Sequence, residues 1–319
     1  MRSEEELRAF FRDELRPHVE AWQRLPRFTP PGVLDALALV ATIAACFAAE
    51  RLELAWIFAA WLFVRTARDV WRVRSAFKTE VLSRVFEFVL PGVDYRPGSH
   101  IGSEHVERSG LFPESWNRDS GEDYVAGRLG ETDFWFSELR LVKEGRKDEE
   151  TVVFRGLFFI ADFHKSFRGR TYLLPDLAER VLGVLGRSLQ AFPRFDGTEL
   201  VELEDPDFEK RFVCHATDPV EARYVLSTSL VQRLLALAER ASGPLRVSFV
   251  DECMYLALPL ARDLLPAAFF GSAVHEDAML GWVRELFTVV GLVEELGLNT
   301  RIWSKAAPRA ATGETDPVT

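Results

Sequence analysis

Gly32–Ala49 (GVLDALALVATIAACFAA) and Leu54–Val64 (LAWIFAAWLFV), split by Glu50-Arg51-Leu52-Glu53, make an apolar hairpin near the N-terminus. The first arm is 18 residues long, with only Asp35 and Thr42 as polar interruptions. As a helix it would run roughly 27 Å, close to the hydrocarbon thickness of a bilayer. The second arm, 11 residues, is apolar on every side and has no face meant for water. It completes a crossing if Arg65 and Arg68 snorkel or if the arm tilts. These properties predict two transmembrane helices. The alternative is a short helical hairpin buried in a soluble core.

The charges around the hairpin set its expected orientation. Residues 1–30 hold six Arg and residues 65–84 hold six Arg or Lys, whereas the connector holds only Arg51 between two Glu. By the positive-inside rule both flanks, and hence both termini, face the cytoplasm and only a tiny turn lies outside. The segment before the hairpin carries six acids and ends in Pro30-Pro31-Gly32, unlike the short basic start of a cleaved signal peptide. Ile43-Ala44-Ala45-Cys46 has the shape of a lipidation box, but the chain stays apolar beyond it, so Cys46 reads as a small residue of a membrane helix.

Outside the hairpin the chain divides by texture. Residues 1–90 carry a net charge of +1 and the other 229 a net of −11. An acidic domain of that kind repels nucleic acid, and no recognition motif offsets it. The three Cys have no CxxC spacing, so neither a disulfide framework nor a zinc site is expected, and no cofactor motif is present. Ser3-Glu4-Glu5-Glu6 is a capping box that opens an amphipathic helix carrying Leu7, Phe10, Phe11, Leu15, Val19 and Trp22. Pro17 should kink it near Asp13. After the hairpin a helical period runs through Val70, Phe77, Val81, Val85, Phe86 and Val89 to Pro91-Gly92. Arg65, Arg68, Arg72, Arg74 and Lys78 on this stretch suit contact with anionic lipid headgroups; the alternative is a solvated helix face.

From Asp94 onward, strand-like segments are separated by Gly: Tyr124–Leu129, Thr132–Val142, Thr151–Phe163 and Arg170–Leu174. Thr151–Phe163 is too continuously apolar to be half exposed. Gly145-Arg146-Lys147-Asp148 reads as a turn, and a helix is expected from Pro175-Asp176 to about Ser188. Further strands are expected at Thr198–Glu204, Arg211–His215, Ala222–Leu226 and Leu245–Leu258, and helices at Ser229–Ala241 and about Glu276–Leu296. The resulting layout is an amphipathic helix in 1–30, a membrane hairpin in 31–66, a juxtamembrane helix in 67–91, a mainly antiparallel α+β domain in 92–305 and a disordered tail in 306–319.

Chemistry-bearing residues are sparse. His100-Ile101-Gly102-Ser103-Glu104-His105 spaces its His residues five apart, not the four that would place them on one helical face, and reads as a polar loop. Glu204-Asp205-Pro206-Asp207-Phe208-Glu209-Lys210 concentrates carboxylates that acid–base work could use, yet Asp205 as cap, Pro206 at the first position and acids in the first turn also spell a helix start. Cys214 and His215 are adjacent, so on a strand they point to opposite faces. Arg168-Gly169-Arg170 could grip an anion but reads first as a charged turn. Arg155 and Asp162 frame the apolar run Phe154–Asp162, and Asp162, Glu204 and Asp205 are the catalytic candidates if the chain is a carboxylate-based hydrolase.

Several strings, read in order, carry a family resemblance. They are Ser109-Gly110-Leu111-Phe112, Gly121-Glu122-Asp123, Phe136-Ser137-Glu138-Leu139 and the long Phe154-Arg155-Gly156-Leu157-Phe158-Phe159-Ile160-Ala161-Asp162-Phe163. Leu203 to Lys210, Val220-Glu221-Ala222-Arg223-Tyr224, and Asn299 with Arg301-Ile302-Trp303 follow. Together, from about Lys78 to Trp303, they closely resemble the bacterial family catalogued as domain of unknown function 3137, departing from its pattern at His164, where Asn is typical. The resemblance implies two N-terminal transmembrane helices and a cytoplasmic domain, hence a place in the bacterial inner membrane, but no activity and no catalytic residue. The expected function is a membrane-anchored interaction or scaffolding protein. The alternatives are a membrane-associated hydrolase and an accessory subunit of a transport or lipid-handling assembly.

Overall fold

The computed structural model describes residues 4–23, 40, 41, 60, 63–65, 67, 68, 71, 72, 74–130, 132–145, 149–162, 168–175, 197–260, 280, 281 and 283. The chain divides into two compact units, Met1–Val89 with Ala267–Gly281 and Leu90–Pro266 with Trp282–Thr319.

In the first unit, helix α1 (Glu4–Phe10) passes through a π turn (Phe11–Leu15) into α2 (Arg16–Gln23). Where a kink is expected from Pro17 the structure has this π turn: the ring would crowd the Asp13 carbonyl, and the Arg16 N–H donates to the Phe11 carbonyl. A second π turn (Lys78–Leu82) leads into α3 (Ser83–Val89), which ends before Pro91-Gly92 as its sequence requires. The apolar stripe Leu7, Phe10, Phe11, Leu15, Val19 and Trp22 is buried, as are Phe77, Val81, Leu82, Val85 and Phe86. Phe10 stacks on Phe88 with ring centroids 3.9 Å apart, and Trp22 meets Phe77 at 4.8 Å. An early residue of one segment meets a late residue of the other at both points. The two segments are therefore antiparallel.

The hairpin of 32–64 lies outside the described residues except for Val40, Ala41, Ala60, Phe63 and Val64, which are helical. Among the described residues no helix is long and apolar enough to cross a membrane. Pro175, the expected start of a helix, ends a strand; the rest of that helix (176–188), the helix expected at 276–296 (apart from Leu280, Gly281 and Val283) and the tail beyond 305 lie outside the described residues.

The second unit is built on a nine-stranded sheet of order β1-β2-β3-β4-β9-β8-β5-β7-β6, antiparallel at every pairing. Its strands are β1 (Asp94–Arg96), β2 (Arg118–Leu129), β3 (Thr132–Glu144), β4 (Glu150–Asp162), β5 (Thr171–Pro175), β6 (Glu199–Val201), β7 (Phe212–Ala216), β8 (Arg246–Val250) and β9 (Cys253–Pro259). The α+β, antiparallel expectation holds. β4 explains the continuous apolar run: Leu157, Phe158, Phe159, Ile160 and Ala161 are all buried, so both faces of this strand are covered. Gly156 is required where β4 approaches β9, because a Cβ there would collide with the Leu258 carbonyl and stand 2.8 Å from the Pro259 Cα. Between β3 and β4 the Gly145 N–H donates to the Glu149 carbonyl at 2.7 Å, and the rest of the turn expected at 145–148 lies outside the described residues.

Beyond the unexpected strand β1 and the shortened β6, the structure also differs from the sequence reading elsewhere. Residues 103–109 are not a loop but helix α4 (Ser103–Ser109), entered from Gly102 and closed by Gly110 at φ +64°. Arg118–Asp123 extends β2 upstream of Tyr124, through an irregularity in pairing between Glu122 and Val125. After α5 (Pro206–Glu209), residues 222–226 are not a strand: α6 (Pro219–Val225) occupies the region, followed by α7 (Thr228–Arg240). Leu245–Leu258 is two strands, because Asp251, at φ +58°, and Glu252 turn the chain between Val250 and Cys253.

Candidate functional site

The catalytic candidates do not converge. Asp162 is the last residue of β4, opposite Cys253 of β9. Glu204 and Asp205 follow β6, at the edge of the sheet and five strand positions from β4. At about 4.8 Å per strand the separation measured along the sheet is on the order of 24 Å, whereas paired catalytic carboxylates stand within about 10 Å. Arg155, at mid-β4, is exposed.

The carboxylates of the 204–210 stretch serve the local backbone instead. Asp205 caps α5, its Oδ1 accepting the Asp207 and Phe208 N–H groups at 2.9 and 3.1 Å. Its Oδ2 accepts from the Gln232 side-chain amide on α7 at 2.7 Å. Pro206 sits at the first helical position, where its missing N–H costs no bond. Glu209 accepts the Leu203 N–H at 2.8 Å and Asp207 pairs with Lys210 at 3.0 Å, which leaves Glu204 exposed at the edge. Asp218-Pro219 repeats the device at α6, with Asp218 accepting from Val220 and Glu221, both at 3.0 Å.

The anion grip at Arg168-Gly169-Arg170 is filled from within. The Glu221 carboxylate accepts the Arg168 and Gly169 N–H groups at 3.1 and 2.8 Å, and the Arg170 N–H goes to the Thr217 hydroxyl at 2.8 Å. His100 pairs with Asp119 at 3.0 Å from outside α4, while His105 lies on α4, buried beside Glu104 at 3.4 Å. Among the described residues no group of three metal-binding side chains comes together. Cys214 and His215 occupy successive positions of β7 and are both buried. Burial, with Glu209 adding, pushes the Cys214 thiol up to about 12, and burial lowers His215. A protonated thiol facing away from its neighbouring imidazole is no nucleophile.

One polar pair was not legible as such in the sequence. Asp123 is fully buried at φ +62°, and the Tyr95 hydroxyl of β1 donates to its Oδ1 at 2.6 Å. Burial first, then the Asp123 charge, holds the Tyr95 pKa well above its usual value; Glu122 and Glu138, paired across β2 and β3, add to it. The phenol therefore keeps its proton and ties β1 to the irregular stretch of β2. The advance signal was Gly121-Glu122-Asp123, two acids placed directly before the apolar Tyr124-Val125. Arg246 makes a comparable tie, forking onto both Glu114 oxygens at 2.9 Å, donating to the Leu111 carbonyl and lying over Phe112.

The cationic candidates lie in the first unit, on helical residues beside the hairpin. Arg65, Arg68 and Arg72 are exposed and Arg74 is half-buried. Lys78 corrects the expectation, since it is only 4% exposed and cannot meet a headgroup. Its spacing is the reason: three residues before Val81 and four before Leu82, it stands on the buried stripe. Phe63, Val64 and Trp71, by contrast, are 73%, 53% and 70% exposed.

Residues 152–298 match the family model described as "Protein of unknown function (DUF3137)". The chain resembles that family across this stretch, which begins in β4; the strings before 152 and at 299–303 fall outside it. No curated protein matches the chain. The crystal structure of the mycobacterial trehalose monomycolate transport factor A, TtfA, aligns over 66% of this chain and 95% of its own at 13% identity and a TM-score of 0.33. Agreement that low carries no argument about function.

Proposed function

We propose that the chain is anchored in the bacterial inner membrane by its two-armed hairpin, with both flanks on the cytoplasmic side, and works there as an interaction or scaffolding protein. The observation that carries this reading is the antiparallel pairing of the helices on either side of the hairpin. With Trp22 against Phe77 at 4.8 Å, the chain leaves and re-enters this helical pair at the same end. A two-armed excursion that starts and finishes at one place is what a membrane hairpin with same-side flanks requires. Every described residue from Val40 to Arg72 is exposed, including four large apolar side chains. That pattern opposes the alternative of a hairpin packed into a soluble core.

The interaction role draws on the far edge of the sheet. Leu200 on β6 and the Val220/Tyr224 pair, four apart on α6, are exposed large apolar residues. Cell fractionation tests the anchor. The full-length protein should stay with membranes through high salt and alkali, and removal of residues 30–66 should release it. Full-length protein in the soluble fraction would end the membrane reading.

A further inference from the structure

We infer that the helical stretch following the hairpin is a docking face for anionic lipid headgroups, an inference that rests on the membrane reading above. Two adjacent stripes make the face. Phe63, Ala67 and Trp71 follow i, i+4, i+8 spacing, and Arg65, Arg68 and Arg72 follow i, i+3, i+7. All six are helical and exposed, and Val64 lies between the stripes, exposed as well. An exposed apolar stripe alongside an exposed arginine stripe is the pattern of a helix at the boundary between headgroups and acyl chains. The Trp71 ring suits that depth, and arginine forks match phosphate oxygens.

Position and charge select the occupant. The face continues directly from the second apolar arm, so a bilayer surface is the partner nearest to it if the arm is inserted. The charged residues described on this face, Arg65, Arg68 and Arg72, are all cationic; Asp69, the acid within the stretch, lies outside the described residues. Lys78 is excluded by its burial, so the face ends before the helix enters the buried pair with α2. An anionic bilayer complements three arginines beside an apolar stripe; a neutral one does not.

The test uses the full-length protein reconstituted into vesicles of phosphatidylcholine alone and of phosphatidylcholine with phosphatidylglycerol. After mild re-extraction, the lipid retained by the protein is quantified. The wild type should retain phosphatidylglycerol severalfold above its share of the vesicle, and the excess should shrink at high salt. A variant carrying Arg65→Gln, Arg68→Gln and Arg72→Gln should incorporate equally well but lose that excess. Lys78→Gln should leave the excess unchanged if the variant folds, as its circular dichroism would establish. Incorporation with no phosphatidylglycerol excess, or an excess that survives the triple substitution, overturns the headgroup inference and leaves the anchor standing. Failure of the wild type to incorporate into either vesicle overturns the anchor and this inference with it.

Discussion

Replacing Asp205 separates a helix cap from a catalytic carboxylate. In the folded chain its Oδ1 accepts two backbone N–H groups at the start of α5 and its Oδ2 accepts from Gln232. Helix α5 is only four residues long, so the cap carries much of its definition. Loss of an N-cap of this kind costs about 1 kcal/mol, and loss of the exposed bond to Gln232 about 0.5–1 kcal/mol more. Asp205→Ala should therefore destabilise the protein by about 2 kcal/mol, a fall in thermal midpoint of about 4–8 °C for a unit of this size. Asp205→Asn keeps an acceptor at Oδ1 and caps nearly as well, so it should fall by much less. Gln232→Ala should fall in between, and the Asp205→Ala, Gln232→Ala pair should be less than additive because one bond is counted in both.

The assay is thermal and urea unfolding of the full-length protein in mild detergent, read by circular dichroism. Equal damage from Asp205→Asn and Asp205→Ala would show that the charge rather than the cap matters. That result would refute the structural account of this carboxylate. A midpoint unmoved by Asp205→Ala, joined to a lost cellular phenotype, would refute it from the other side.

Two further perturbations follow from the second unit. Gly156→Ala should destabilise by about 2–3 kcal/mol, because the added methyl meets backbone of β9 rather than a side chain that can move aside, and a urea midpoint like that of the wild type would contradict the β4–β9 register. Stability should also decline as pH rises from about 9 to about 11: Cys214 is pushed up to about 12 and Tyr95 and Tyr255 are raised, so over this range the unfolded chain gives up protons that the folded chain retains. Urea midpoints measured across that range check it, and ready reaction of Cys214 with a thiol reagent in the folded protein would count against the burial that causes the shift.

The parts of the fold that were legible from sequence were those in which one strong local preference met no rival. The run through Phe158 and Phe159 was too continuously apolar for a half-exposed strand, and Asp205-Pro206 followed by acids spelled a helix start. The same Asp-Pro signal stands at 218–219, ahead of the strand expected at Ala222–Leu226 with its Tyr224 and Val225, and the chain there is helix α6. There the cap decides the structure and side-chain propensity does not. Arg118–Asp123 was illegible as a strand because its polar side chains and Gly121 conceal a ladder that continues past an irregularity. The carboxylate candidates suffered from distance: no local pattern says that four strands separate β4 from β6, since β5 and β7 come between β8 and β6 only by long-range pairing.

Lys78 illustrates the same point for charge. Counting cations beside the hairpin places it with the arginines, and as a count that is sound. Spacing gives a different answer, because Val81, Leu82 and Val85 recur from Lys78 at helical intervals and draw its stem into the buried stripe. Arg65, Arg68 and Arg72 precede that stripe and remain exposed beside Phe63 and Trp71. The boundary between a surface that can meet a bilayer and a surface that packs against the N-terminal helix therefore falls between Arg72 and Phe77, within about one and a half helical turns. A cation counts toward orientation wherever it lies on a flank, but toward contact only on the exposed side of that boundary.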